Sequence, residues 1–472
     1  MKSKKFIIKN DKVICFPIEI KVREFVPKIF LAYKLIKNTN FKVIIGGQRF
    51  INNKLIFQDC LWLDKNTFYK RREEFPIHKD NKIIMLDEEG PISFFSNANL
   101  KLRYNFNIIK QINTFLFSGK NDLKNLNNKF LKHQFKIFGN PKFDLIKSRN
   151  IKIFNSEIKL IEENYKDFIF IPGHWTSIKT QDIIKKNSEL LFSSKLDQRS
   201  FQKNCEIYMS NYYSLLDLVK KIAIQNPNLT IIFRRHPSES EHFIENYFKD
   251  KPSNLKLIYK YSITPWIITC KFYLHSGCQS YLEALSLNKK IVSYYPIKYK
   301  HTNNFFLSKP IFHEEKNCLD FFKKKLINKK FFSYKKNISY VVKNINNNVT
   351  FYKEFSNFIN KNFKSKKSNI ILKAEINGIN LNILNFIYYF LSKFKNFLIK
   401  NRIFFLLNKF FSYEDLISKD AKNNKFRSLL KSEIDYYLDI FRKIDKSKIQ
   451  IVVKKLDQNV FCLHKKQNKN NL

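Results

Sequence analysis

Residues 272–287 read FYLHSGCQSYLEALSL. The apolar run Phe272–Leu274 reads as a strand, His275-Ser276-Gly277 as a tight turn, and Tyr281–Leu287 as a helix with apolar residues at helical spacing. Working outward, the same unit repeats. Upstream, Phe168–Ile171 is a strand ended by Pro172-Gly173, Tyr212–Ile224 a helix, Leu229–Phe233 a strand that delivers Arg234-Arg235-His236-Pro237, and Leu255–Tyr259 a further strand. Thr264-Pro265 is expected to open a helix as N-cap and first helical residue. Downstream, Ile291–Tyr295 is a strand closed by Pro296. Short apolar strands separated by helices imply a parallel sheet covered on both faces.

The first part of the chain carries the pattern once more. Lys12–Phe16, Phe41–Ile45, Lys82–Leu86, Asn113–Phe117 and Phe135–Phe138 read as strands, and Val22–Lys37 as a helix. Two α/β units joined near 145–165 predict two Rossmann-like domains facing a cleft. The expected division is 1–145, an acceptor-side domain; 146–365, a nucleotide-binding domain; and 366–472, a helical basic tail. All 12 prolines lie at or before Pro310, which sets the tail apart.

Composition excludes some classes of protein. With 44% hydrophobic residues the chain can build cores, so wholesale disorder is excluded. No apolar run approaches the ~18–20 residues that span a bilayer, and no secretory leader is expected at the N-terminus. The net charge is +47, from 87 Lys+Arg against 40 Asp+Glu. It divides as +26 over the first 310 residues and +21 over the rest, so it is spread along the chain and reads mainly as solvated surface. No nucleic-acid partner is expected. The 7 cysteines are widely spaced, with no CxxC pair, which fits a reducing cytoplasm and gives neither a disulfide framework nor a zinc site.

Only 8 glycines occur, and all but Gly378 fall at an expected strand end or tight turn. Ligands of open α/β sheets gather at the carboxyl ends of strands, so these glycines outline the expected site. RRHPSE, Arg234–Glu239, follows a strand; Arg234, Arg235 and His236 suit a phosphate. In HSGCQSYLEA, His275–Ala284, the backbone around Ser276 and Gly277 suits a phosphate at a helix N-terminus, Ser280 belongs to the same turn, and Glu283 suits ribose hydroxyls. LDEEGP, Leu86–Pro91, gathers Asp87, Glu88 and Glu89, where crowding raises a carboxyl pKa toward general-base chemistry; a solvated acidic turn is the alternative. PIEIKVRE, Pro17–Glu24, brings Glu19, Lys21, Arg23 and Glu24 to the acceptor side, with a charge cluster at a helix N-terminus as the alternative. Gly47, Asn140 in FGNPKFD and His174 in PGHW are further cleft candidates. No metal-binding triplet, zinc spacing or Walker phosphate loop is present, so no metal and no cofactor is expected.

Taken in order, PIEIKVREF, VIIGGQ, LDEEG, GNPKFD, FRRHPSE and HSGCQSYLEAL resemble the bacterial surface carbohydrate biosynthesis proteins, which are glycosyltransferase-like with a GT-B-type architecture. The set also resembles the acidic, HP and Ser/Thr motifs of bacterial sialyltransferases. The resemblance implies that a carboxylate of 87–89 deprotonates an acceptor hydroxyl. It also implies that His236 contacts the leaving phosphate of a nucleotide-activated sugar, such as a CMP-sugar, and that Ser276 serves as the hydroxyl motif. The chain departs from the pattern at Cys278-Gln279-Ser280, where related sequences often carry Thr; Ser280 is the stand-in.

The expected function is metal-independent transfer of a sugar from a nucleotide-sugar to a glycan or lipid-linked glycan acceptor in surface polysaccharide synthesis. The nucleotide-sugar is a substrate and not a cofactor. The alternatives on the same fold are a polyol-phosphate transferase and a nucleotide-sugar 2-epimerase. Outside enzymes, a basic nucleic-acid-binding protein leaves RRHP and HSG unexplained. Leu381–Phe411 reads as a basic amphipathic helix, either on an anionic membrane or packed on the core. The expected location is cytoplasmic, with a peripheral inner-membrane contact.

Overall fold

The computed structural model describes residues 6–48, 50–51, 55–65, 81–86, 88, 112–124, 135–173, 181–237, 239–298, 308–323, 332–333, 335–345, 349–363, 367–372, 426 and 428–466. In the first part of the chain the strands are β1 Phe6–Asp11, β2 Val13–Ile18, β3 Lys42–Gly47, β4 Leu55–Gln58, β5 Leu61–Asp64, β6 Lys82–Leu86, β7 Thr114–Phe117 and β8 Phe135–Ile137. The second part has β9 Ile169–Pro172, β10 Ile231–Arg234, β11 Leu255–Ile258, β12 Phe272–His275, β13 Lys290–Tyr294, β14 Ser308–Lys309, β15 Ile311–Phe312 and β16 Phe332–Ser333. The chain then adds β17 Ser368–Leu372, β18 Ile451–Asp457 and β19 Val460–Lys465.

The second sheet has the order β11-β10-β9-β12-β13-β15 and is parallel throughout. Its chain order is that of the dinucleotide-binding fold, with the switch point between β9 and β12. Its strands are apolar on both faces: Ile231, Ile232 and Phe233 are all fully buried, as a sheet covered by helices requires. The first sheet has the order β18-β19-β3-β2-β5-β6-β7-β8. From β3 to β8 it is parallel, and its switch point lies between β2 and β5. The protein is thus α/β and GT-B-like, with two Rossmann-like units.

Helix α1, Lys21–Asn38, is buried almost all round, from Glu24 to Ile36. A helix so placed needs partners for its charges. Lys34 pairs with Asp445 at 2.6 Å, and Glu24 with Lys28 at 3.0 Å. Phe25, Ile29, Phe30 and Leu35 fill the first core, into which Phe351, Phe355 and Ile359 of the Phe351–Asn362 helix also pack.

Several expectations change. Residues past 366 were expected to form a helical tail. Their described part holds the Lys431–Asp445 helix but also three strands. β19 pairs antiparallel with β3 and extends the first sheet, while β17 joins β1 and β4 in a separate antiparallel sheet. Apolar Val460, Phe461, Cys462 and Leu463 are buried there, which lifts an edge otherwise left unpaired beside β3. Pro17 does not end its strand, because β5 pairs with β2 only at Ile14 and Cys15 and asks nothing of residue 17. The helix expected from Thr264 starts earlier: Ser262 is the N-cap and the helix runs Ile263–Thr269. Leu381–Phe411 lies outside the described residues. Among the described residues, no helix is long and apolar enough to cross a membrane.

Candidate active site

The two units meet at the carboxyl ends of their sheets. From the first unit, the turn after β2 supplies Glu19, the first turn of α1 supplies Arg23, and the residue after β5 is Lys65. From the second, the end of β10 supplies Arg234–His236, and the end of β12 supplies Ser276 and Gly277. The two units touch there: the Arg23 guanidinium donates from Nη2 to His236 Nε2 at 3.1 Å. A guanidinium only donates, so Nε2 accepts and the imidazole carries its proton on Nδ1. The carboxyl ends of the two sheets therefore face each other across this contact.

The RRHP turn is built by a residue that sequence reasoning did not single out. Glu239 is buried. Its Oε2 accepts from the His236 backbone N–H and its Oε1 from the Tyr212 hydroxyl. Gly173, at the end of β9, lies against this turn, and a Cβ there would come 2.1 Å from Glu239 Oε2 and 2.7 Å from the His236 nitrogen. The absence of a side chain is what lets the turn close down on β9.

The two arginines divide their work. Arg235 is held by Glu241 at 3.1 Å and by the Glu239 carbonyl at 3.3 Å, and it stacks over the Tyr259 ring at 3.9 Å. Its guanidinium is thereby committed to holding the turn. Arg234 donates to the Tyr261 carbonyl at 2.7 Å, yet its buried Nε has no hydrogen-bond partner. Burial pushes its pKa down to about 10, and the guanidinium stays charged at neutral pH.

At the end of β12, Ser276 is 3% exposed and its Oγ is likewise without a hydrogen-bond partner. Buried polar groups left unmade cost on the order of 1–3 kcal/mol, so Arg234 Nε and Ser276 Oγ are donors kept for something else. Gly277 has φ +91°, the region that favours glycine, and its N–H donates to His275 Nδ1 at 3.2 Å. The expected supply of free backbone amides is smaller than the sequence implied. The Tyr281–Ser286 helix has only six residues, and the N–H groups of Tyr281, Leu282, Glu283 and Ala284 bond within the turn. Ser280 meets the Tyr273 hydroxyl at 2.6 Å and Cys278 Sγ at 3.0 Å. Glu283 is buried and holds Thr264 at 3.0 Å and Lys142 at 3.2 Å, so its carboxylate is engaged in structure.

On the first unit, Glu88 is 8% exposed, and its Oε2 lies 3.3 Å from Lys28 Nζ without an aligned hydrogen bond. Burial pushes its pKa up to about 7, with Lys28 and Lys65 opposing and Glu24 reinforcing the rise. Beside it, Glu24 accepts from the Glu19 and Ile20 backbone N–H groups, from Lys28 and from Lys65, and these contacts hold its pKa well below the usual carboxylate range. Glu19 pairs with Lys65 at 2.9 Å. Asn140 caps the Pro141–Leu145 helix, donates to the Glu88 carbonyl at 3.4 Å and exchanges bonds with Asn344. Gly47 sits against Phe50 and Phe426, pairs with Ile18 across β2 and β3, and its N–H donates to the Asn459 carbonyl. Asp87, Glu89 and His174 lie outside the described residues.

Lys28 and Lys65 were not singled out from the sequence. A lysine inside the otherwise apolar stretch Phe25–Tyr33, four residues after Glu24, was the available signal. Among the described residues, no cluster of His, Cys, Asp or Glu could hold a metal ion.

No protein-family model matches the chain. No curated protein matches it either. Among solved structures, the wall teichoic acid polymerase TagF is similar over 76% of this chain and 90% of its own, with 11% identity and a TM-score of 0.46. The UDP-GlcNAc 2-epimerase from Neisseria meningitidis bound to UDP-GlcNAc is similar over 74% of this chain and 99% of its own, at 12% identity and a TM-score of 0.44. The UDP-N-acetylglucosamine 2-epimerase from Rickettsia bellii is similar over 75% and 100%, at 11% identity and a TM-score of 0.44. The likeness is one of overall fold.

Proposed function

We propose that this protein is a glycosyltransferase-like enzyme of surface polysaccharide synthesis. It moves a sugar from a nucleotide-activated donor, a CMP-sugar in the most specific form of the proposal, to a glycan hydroxyl. The observation that carries the reading is the contact of Arg23 with His236 between the two units, beside Arg234, whose charge interacts with those of Arg23 and Cys278, with the buried donors Arg234 Nε and Ser276 Oγ unpaired. Such a cluster suits a phosphate ester better than a neutral ligand.

In this reading the Glu88 carboxylate takes the proton of the acceptor hydroxyl, and the acceptor oxygen bonds to the anomeric carbon. The bond from that carbon to the phosphate oxygen breaks, and its electron pair leaves with the phosphate. Arg23 exchanges His236 for phosphate oxygen, and Arg234 Nε and Ser276 Oγ donate to the same group. Donors fixed in advance around growing negative charge stabilise the transition state most. Metal independence is part of the proposal, because Arg23 and Arg234 supply the positive charge. So is a peripheral attachment to an anionic membrane surface, for which the basic surplus of the chain is the support.

The test is a thermal-shift panel of CMP, CDP, UDP, GDP and their sugars, followed by a transfer assay with and without chelator. Stabilisation by CMP with chelator-resistant transfer supports the full reading. Stabilisation by UDP, with nucleotide release in the absence of acceptor, replaces it by an epimerase. No response to any nucleotide overturns it.

A further inference from the structure

The charges around Glu88 do not balance. Glu24 is saturated by four donors, and Lys28 donates to two acceptors, Glu24 and the Pro17 carbonyl, with Glu88 3.3 Å away. Lys65 bridges Glu19 and Glu24 at 2.9 Å each. Glu19 and Glu24 thus neutralise Lys28 and Lys65. Glu88 is the fifth member, a carboxyl that shares Lys28 with Glu24, in a place where an unpaired charge is expensive. Its Oε2 is buried without a hydrogen-bond partner.

We propose that Lys28 is the positioning residue of the transfer reaction: anchored by Glu24, it holds Glu88 in the site as the carboxylate that takes the acceptor's proton. The inference rests on the transferase reading for its chemical meaning and on the network alone for its geometry. Glu88 is faced by Lys28, Glu24 and Lys65. The proton moves from the acceptor hydroxyl to Glu88 as the acceptor oxygen bonds to carbon, and it returns to solvent when product leaves. No other reactant is needed.

Placement in the fold gives the network a further property. Arg23 and Glu24 are consecutive residues of α1, so one turn carries both the contact to His236 on the other unit and the anchor of Lys28 and Lys65. The acceptor base and the phosphate-side cluster are therefore held by a single rigid element.

The experiment follows the Glu88 carboxyl directly by carbon-13 NMR of the full-length protein labelled at glutamate, with Glu88→Gln to assign the signal. Lys28→Met removes a cation and is expected to move the titration upward by about one pH unit or more. Lys28→Arg is expected to keep it near that of the unaltered protein. Glu24→Gln frees Lys28 and Lys65 to turn to Glu88 and is expected to move it downward. These opposite shifts keep the test intact should Lys28→Met fail to fold. An unchanged titration in both Lys28→Met and Glu24→Gln overturns the role of Lys28, and so does a signal that persists in Glu88→Gln. The titration needs no substrate. Its failure is therefore separate from that of the transferase reading, which falls if the unaltered protein transfers no sugar. Where transfer is measured, the acid limb of the kcat profile is expected to move with the NMR titration in each variant, with KM little changed.

Discussion

Arg23 and His236 stand 3.1 Å apart, although they belong to different sheets and lie more than two hundred residues apart in sequence. The contact joins the first turn of α1 to the turn after β10, and it occupies the imidazole nitrogen that the proposed reaction needs for the leaving phosphate. Substrate must therefore part the pair. Replacing His236 by Ala is expected to lower transfer by about 10²–10⁴-fold, the usual reach of a positioned acid–base group. The ring is partly exposed, so the thermal midpoint is expected to stay within a few degrees of the unaltered protein. Steady-state transfer and a melting curve on the same preparation check this. Undiminished turnover removes His236 from the mechanism.

Ser276 and Ser280 separate binding from stability. Ser276 Oγ has no partner to lose, so Ser276→Ala is expected to leave the denaturation midpoint unchanged while weakening nucleotide binding about tenfold, the worth of one hydrogen bond to a charged group. Ser280 bonds to Tyr273 and Cys278. Ser280→Ala is expected to cost about 1 kcal/mol of stability with a smaller effect on binding. Calorimetric titration and urea denaturation of both variants give the comparison, and the reverse pattern would exchange their roles.

The sheets were legible in the sequence because their strands are short apolar runs broken by glycine and proline, and the strand bearing Arg234 lies within three residues of where the pattern puts it. The site was legible in its parts but not in its assembly. Arg234 and Arg235 look alike in sequence; only packing shows that Tyr259, Glu241 and the Glu239 carbonyl claim Arg235. The first unit's β4 and β5 went unread because Leu55–Leu63 is too short and too continuous to give a period. The chain-end strands went unread because residues 451–465 look like any basic amphipathic run until β3 supplies an edge. Lys28 and Lys65 were hidden by the abundance of lysine, since burial and not residue type distinguishes them from the solvated majority.

The pairing of β19 with β3 predicts that the chain end is structural. A chain cut after Ser447 loses Val460, Phe461, Cys462 and Leu463, all buried, and leaves the edge of β3 bare. Each large apolar side chain removed from a core costs on the order of 2–4 kcal/mol, comparable together with the whole stability of a domain. The shortened chain is expected to be insoluble or to lose cooperative unfolding, as sedimentation and circular dichroism would register. A soluble, cooperatively folding product contradicts the pairing.

Glu88 predicts a pH dependence of stability whose sign follows from its raised pKa. The folded value is about 7 against an ordinary 4.5, so between these values the folded chain keeps a proton that the unfolded chain has released. The stabilising contribution is complete below about pH 4.5 and is lost as pH rises through about 7, in total on the order of 3 kcal/mol. Glu24 acts oppositely and in a different window: its pKa is lowered, so its contribution is present above the ordinary carboxylate value and lost only in acid. Urea denaturation at about pH 5 and about pH 8 is therefore expected to show a fall in stability that Glu88→Gln abolishes. An equal fall in the variant assigns the titration elsewhere.

The RRHP turn predicts an energetic coupling between Gly173 and Glu239. Glu239 accepts from the His236 N–H and the Tyr212 hydroxyl while buried, so Glu239→Ala strands both donors and is expected to cost about 2–4 kcal/mol. Gly173→Ala drives a methyl group into the same carboxylate, at 2.1 Å, and toward the His236 nitrogen, at 2.7 Å. It is expected to destabilise by a similar amount and to displace His236, lowering transfer beyond what stability explains. The two costs share one cause, the space held by the Glu239 carboxylate. Removing that carboxylate makes room for the alanine methyl, so the double variant is expected to be less unstable than the sum of the single variants by on the order of 1 kcal/mol. Chemical denaturation of all four proteins closes the cycle. Strict additivity would mean that Gly173 and Glu239 act independently and that the turn is held by something other than their close approach.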